Sequence, residues 1–268
     1  MRNHYLWPVL AAFCLLSMLI LLPFRQAEAQ DGQDTPRPTV FQAAGTTVTS
    51  ILCSVDFFRA ALGQPNNANT AGPLTSGRRE INWDGGGSTE TSPAPTPFEG
   101  FLEGRGALIT TPGTGFVQAP VSGLADTFAN PTYTTIFQPF SPLRLFAPVG
   151  SNITDVEFFV PGGGNVQALT SGFGVVFSDV DKPDATDPAA QTLIQYYGAN
   201  DELLFSGFVP ASPSDASLSF FGVVYAEPVI RRVRITTGYA ALGPNDDAQQ
   251  DMVVMDDFLY GEPQPLMQ

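Results

Sequence analysis

The stretch LSFFGVVYAEPVIRRVRITT, residues 218–237, decides the fold. Its first part, Leu218 to Tyr225, is a short apolar and aromatic run. Its last, Val229 to Thr237, alternates, with Val233 and Ile235 on one side of an extended chain and Arg232 and Arg234 on the other. That period of two marks a strand with one buried and one wet face. Working outward, the same texture predicts strands near Arg78 to Trp83, Ala107 to Thr111, Gly115 to Gln118, Tyr133 to Phe137, Leu143 to Ala147, Ile153 to Val160, Gly172 to Phe177, Thr192 to Tyr197, Leu203 to Val209 and Met252 to Tyr260. No segment between them is long and amphipathic enough to be a crossover helix, so neighbours pair antiparallel. The fold class predicted is all-β: an antiparallel β-sandwich, jelly-roll-like, with one short N-terminal helix from Ser54 to Leu62 stopped by Gly63. That helix is expected to seal one end of the sheets.

Composition agrees: 26 Gly and 24 Pro punctuate the chain, and 21 Phe outnumber 7 Tyr and 2 Trp combined. Arg2, an apolar run from Tyr5 to about Phe24 and Ala27-Glu28-Ala29 read as a signal peptide over residues 1–29, which places the protein outside the cell or in the periplasm. Residues 30–46 are expected as a flexible lead-in and 47–263 as a single sandwich domain, with a candidate subdivision near 148–152. Residues 264–268 are expected as a tail.

Of 12 basic and 26 acidic residues, cleavage removes Arg2, Arg25 and Glu28, leaving 10 against 25 and a net charge of −15. That surface repels phosphate backbones and anionic headgroups, so nucleic acid and membrane surfaces are poor partners. The only histidine, His4, lies in the segment expected to be cut off. Its loss removes the Ser-His-Asp and Cys-His nucleophile arrangements and every histidine-bearing metal site. Cys53 then has no disulfide partner and is expected to pack as a small hydrophobe.

The blocks Gly77-Arg78-Arg79-Glu80-Ile81-Asn82-Trp83-Asp84-Gly85-Gly86, Thr110 to Phe116, Phe173 to Asp181 and Asp256 to Pro263 resemble those of a group of secreted bacterial proteins with no assigned activity, some with C-terminal sorting tails. The resemblance implies export and transfers no catalytic residues. This chain stops soon after Pro263, without such a tail. The last strand is also similar to the closing strand of jelly-roll carbohydrate-binding modules, in which an aspartate helps hold structural calcium. On that likeness Asp256 or Asp257 is a calcium candidate. In a regular strand the two point to opposite faces, so one is expected to meet solvent. A buried carboxylate can instead be stabilised by main-chain N–H groups or an arginine such as Arg231.

Asp179, Asp181, Asp184 and Asp187 form a second oxygen-rich cluster and a second calcium candidate. Pro183, Asp184 and Ala190 break the EF-hand pattern, which leaves a solvated acidic turn as the plainer reading. Asp246, Asp247 and Asp251 form a third acidic loop. Trp83, next to Asp84 and the glycine run, is a candidate sugar-stacking platform with Arg78 beside it; a core position is the alternative for the ring. The expected function is a secreted, non-catalytic binding or surface-matrix module, with extracellular polysaccharide as the partner and calcium as a structural aid. The competing class is a carboxylate-based glycoside hydrolase using Glu99, Glu103, Glu157 or Glu202.

Overall fold

The computed structural model describes residues 37–85, 87, 89–181, 191–244 and 251–266. Residues 1–29, expected to be a signal peptide and including His4, and Asp184, Asp187, Asp246 and Asp247 lie outside them. Along the chain run β1 (Thr39–Gly45), α1 (Val48–Leu62), β2 (Arg78–Ile81), β3 (Ser92–Ala94), β4 (Phe98–Phe101), α2 (Leu102–Arg105), β5 (Ala107–Thr110) and β6 (Gly115–Ala119). Then come α3 (Val121–Phe128), α4 (Tyr133–Ile136), β7 (Leu145–Val149), β8 (Ile153–Phe158), β9 (Ala168–Leu169) and β10 (Gly172–Ser178). The series closes with β11 (Leu193–Tyr197), β12 (Leu203–Phe208), β13 (Leu218–Val224), β14 (Arg232–Thr236), β15 (Val254–Gly261) and β16 (Gln264–Pro265).

Two antiparallel sheets face each other. One has the order β1-β13-β10-β15-β7-β6-β3, with β2 also on β15; the other is β12-β11-β14-β8-β5-β4. From β10 onward the chain crosses repeatedly between them, as in a jelly roll, and the antiparallel sandwich expected from the alternation is the fold. Their facing sides bury one aromatic core, in which Trp83, Phe116, Phe146, Phe158, Phe173, Phe258 and Tyr260 meet Val156, Val233 and Ile235. Residues 36–268 form one compact unit, and no boundary falls at 148–152.

The outer side of the larger sheet is covered as well. Ile51, Val55, Phe58 and Leu62 of α1 pack on Val176, Leu218, Phe220 and Leu259. Leu124, Phe128, Tyr133 and Phe137 from the α3–α4 region pack on Val117, Leu145, Ala147 and Val254. Burial on both faces explains why β10 and β13 are apolar apart from the buried Ser178 and Ser219. Phe173-Gly174-Val175-Val176-Phe177 and Phe221-Gly222-Val223-Val224-Tyr225 are alike in sequence, which suggests facing strands of the sandwich; they are instead neighbours in one sheet, with Gly174 opposite Gly222. A Cβ on Gly174 or Gly222 would stand 2.8 Å from the Phe58 ring, so the two glycines form its seat.

Several boundaries differ from the sequence reading. The lead-in is a strand from Thr39, because pairing with β13 outweighs its weak pattern. The tail is likewise partly ordered, since Gln264–Pro265 pairs with β9. The helix starts at Val48, six residues early, and lies on the sheet face rather than across its end. Tyr133 to Phe137, read as a strand, is the short helix α4: Tyr133 is drawn into the α3 cluster and its hydroxyl donates to the Gly243 carbonyl at 3.0 Å, which overrides the local β preference. Cys53 is half-buried.

Candidate functional site

Trp83 does not face solvent. It is 1% exposed, its ring stacks on Phe146 at 3.7 Å between centroids, and Nε1 donates to the Asp256 carbonyl at 2.9 Å. The sugar-platform reading is therefore corrected: the core claims the largest apolar ring available. Arg78 is also withdrawn from any ligand, donating to Glu80 Oε1 at 2.6 Å and to the Gly63 carbonyl at 3.1 Å. Asp84 Oδ1 accepts the N–H groups of Leu143 and Arg144 at 2.7 and 2.9 Å, which folds the loop leading into β7.

The acidic pair of β15 departs from alternation. Between Val175↔Phe258 and Phe177↔Met255 the register shifts, so Val176 alone opposes Asp256 and Asp257. This bulge turns both carboxylates to the outer side of the sheet, between α1 and the loop before β7. Both are buried, at 0% and 3% exposure, where one was expected to meet solvent. Asp256 Oδ2 accepts Phe140 N–H at 2.6 Å and Ser141 N–H at 3.2 Å, while the Ser141 hydroxyl lies 2.7 Å from Asp257 Oδ1 and 3.3 Å from Asp256 Oδ1. Arg59, not Arg231, is the nearby cation, 3.5 Å from Asp257 Oδ2.

Burial, then the neighbouring Asp257 charge, pushes the Asp256 carboxyl well above the ordinary carboxylate range. Burial pushes Asp257 up too, against the Ser141 hydroxyl and Arg59. Both shifts favour the protonated form of the pair.

Calcium does not fit here, because the oxygens are aimed at N–H, hydroxyl and guanidinium donors. Among the described residues no group of three or more His, Cys, Asp or Glu side chains is arranged to hold a metal ion. Asp179 and Asp181 lie beyond β10, apart from the β15 pair; Asp179 N–H donates to the Ser217 carbonyl and Asp181 N–H to Asp251 Oδ1.

The outer side of the smaller sheet is different. Its register sets Ser206, Gln195, Arg234, Asp155 and Thr110 level with one another across β12, β11, β14, β8 and β5. At the usual strand spacing this polar row is about 19 Å long. A parallel row holds Leu203, Tyr197, Arg232, Glu157 and Leu108, and another holds Phe208, Leu193, Thr236 and Ile153.

Charge on this face is organised by Asp155. Arg234 grips it through Nε and Nη2 at 2.9 and 2.8 Å, and Arg232 Nη1 adds a third bond at 2.9 Å. These Asp155 hydrogen bonds push the Arg234 guanidinium further up, so it stays charged. Arg232 lies flat on Tyr197, 3.9 Å from the ring centre, and also holds Asp201. The Arg234 side chain remains 40% exposed. No family model, characterised protein or solved structure matches the chain. The geometry of this face has to carry the functional reading by itself. Alternation in 229–237 had already placed Arg232 and Arg234 on it; the partners Gln195, Tyr197 and Asp155 come from strands whose register is set only on folding. Finally, no helix among the described residues is long and apolar enough to cross a membrane.

Proposed function

We propose that this protein is a secreted, non-catalytic module that binds polysaccharide across the outer face of the smaller sheet. The observation carrying this reading is the row Ser206, Gln195, Arg234, Asp155 and Thr110, which is polar, spans five strands and is held rigid by the Asp155 arginine pairs. A sheet fixes such groups at a regular spacing, so several sugar hydroxyls in series can be met without ordering the protein on binding. The signal segment and the resemblance to exported bacterial proteins support the location.

Carboxylate chemistry is less well supported. Asp155 and Glu157 are two residues apart on β8, yet Arg232 and Arg234 hold the first and Arg231 the second at 3.3 Å. Neither occupies the apolar pocket that keeps a glycosidase acid protonated. Glu202 Oε2 accepts the Asn200 N–H at 2.9 Å, and Glu99 lies on the edge strand β4 and Glu103 on α2, with no carboxylate partner for either among the described residues.

Affinity electrophoresis in gels containing soluble polysaccharides, run beside a reducing-sugar assay, tests the reading. Retardation by at least one polysaccharide, weakened about tenfold by Arg234→Ala or Gln195→Ala, with no sugar release, is expected. Absence of retardation in every gel, or sugar release abolished by Glu157→Gln, would overturn it.

A further inference from the structure

Arg231, Arg232 and Arg234 lie on or next to β14, and a cluster of arginines on one face is the usual footprint of a polyanion site. Here each guanidinium is already closed on a carboxylate. Arg234 holds Asp155, Arg232 holds Asp155 and Asp201, and Arg231 reaches Glu157, at 2.7 to 3.3 Å. Three cations against three carboxylates leave no excess positive charge, and Glu202, next to Asp201, adds a further acid. The chain as a whole carries a formal net charge of −14. An anionic polymer would have to draw the arginines off Asp155 and approach against that field.

What the face offers is hydrogen bonding without net charge. Arg234 uses Nε and Nη2 on Asp155, which leaves Nη1 with no partner among the described residues. The Gln195 amide and the Ser206 hydroxyl, level with Arg234 on β11 and β12, likewise bond no other described group. An amide and a hydroxyl each donate and accept, as a sugar hydroxyl does. Beside this row lies apolar surface. Phe208 follows Ser206 by two residues on β12, roughly 7 Å further along the same outer side. It is 43% exposed and stands opposite the half-buried Leu193. In the neighbouring row Arg232 already covers a face of the Tyr197 ring at 3.9 Å, so Phe208 is the open ring of these rows.

We propose that the polymer held on this face is an uncharged polysaccharide. Phe208 packs on the C–H face of one sugar while Ser206, Gln195 and Arg234 bond hydroxyls along the chain, and polymers bearing carboxylate or sulfate groups are rejected. A pyranose carries hydroxyls at its rim and C–H groups on its faces, which is what a polar row beside an exposed ring is shaped to meet. The inference rests on the polysaccharide reading of the same face and narrows it to a substrate class.

Calorimetric titration tests it with polymers that share a backbone and differ in charge: hydroxyethyl cellulose against carboxymethyl cellulose, dextran against dextran sulfate, and galactomannan against its carboxymethyl derivative. At least one neutral polymer is expected to bind, with an affinity that changes by less than about twofold between low and physiological salt. Its charged counterpart should bind at least about tenfold more weakly. Phe208→Ala should weaken neutral binding about tenfold and Phe208→Trp should retain it, with circular dichroism showing both variants folded. Tighter binding of the charged counterpart, or an affinity that collapses as salt rises, would overturn the inference and leave the polysaccharide reading standing. So would neutral binding indifferent to Phe208→Ala. Failure of every polymer, neutral and charged, would remove both.

Discussion

Arg79 holds Glu262 with two parallel hydrogen bonds, Nε to Oε2 and Nη2 to Oε1, both 2.7 Å, and neither side chain is more than 3% exposed. The pair anchors the polar loop between α1 and β2. Arg79 Nη1 donates to the carbonyls of Ala68 and Gly104, while Glu262 accepts Asn67 Nδ2 at 2.8 Å and Leu74 N–H at 3.1 Å. Desolvating two charges is costly, and the extra partners offset that cost.

Removing one partner strands the other. Arg79→Met is expected to lower stability by about 3–5 kcal/mol, and Glu262→Leu by a similar amount. The double variant should lose clearly less than the sum, because no uncompensated charge remains. Urea melts of all four proteins check this.

The Asp256 and Asp257 pair makes stability fall as pH rises. Both folded carboxyls are raised, so between the unfolded carboxylate value of about 3.9 and the folded values the native state binds more protons than the unfolded chain. The contribution is fully present below that window and is lost as pH rises through it. Asp257→Asn removes the like charge beside Asp256 and should flatten the dependence, read from thermal melts across the acid-to-neutral range.

Trp83 belongs to the core. Trp83→Ala is therefore expected to cost about 3–5 kcal/mol of stability, while Gln195→Ala, whose side chain holds no ion pair, should be nearly neutral and affect only polysaccharide retention. Comparing melting temperature with gel retardation for the two variants separates packing from recognition. Retention lost in a Trp83→Phe protein that remains fully folded would contradict the core assignment.

Gly222→Ala pushes a methyl carbon to within 2.8 Å of the Phe58 ring and should destabilise by about 1–3 kcal/mol. Phe58→Leu alone also costs stability, but combined with Gly222→Ala it should lose less than the sum. A denaturant double-mutant cycle gives the coupling.

Period-two patterns made much of the sandwich readable. Val233 and Ile235 against Arg232 and Arg234 marked both the strand and its wet side. What alternation could not reveal was the bulge opposite Val176, because that depends on how β15 registers with β10. Trp83 was misplaced because its partner Phe146 is remote in sequence, and a ring beside glycines looks exposed when only neighbours are read. In α3 a signal was present but unread: Val121, Leu124, Ala125 and Phe128 follow helical spacing. The expected ligand set Trp83, Arg78 and Asp84 grouped residues by chain proximity, whereas the open face assembles from five separate strands.

Beyond the first 29 residues Trp83 is the sole indole, and its ring nitrogen is tied to the backbone of Asp256. Among the described residues, tryptophan-selective excitation thus reads a single indole at the bulged strand, blue-shifted while the interior is dry. Its emission is a label-free optical reporter of the packed interior between the two sheets, obtained without attaching any dye.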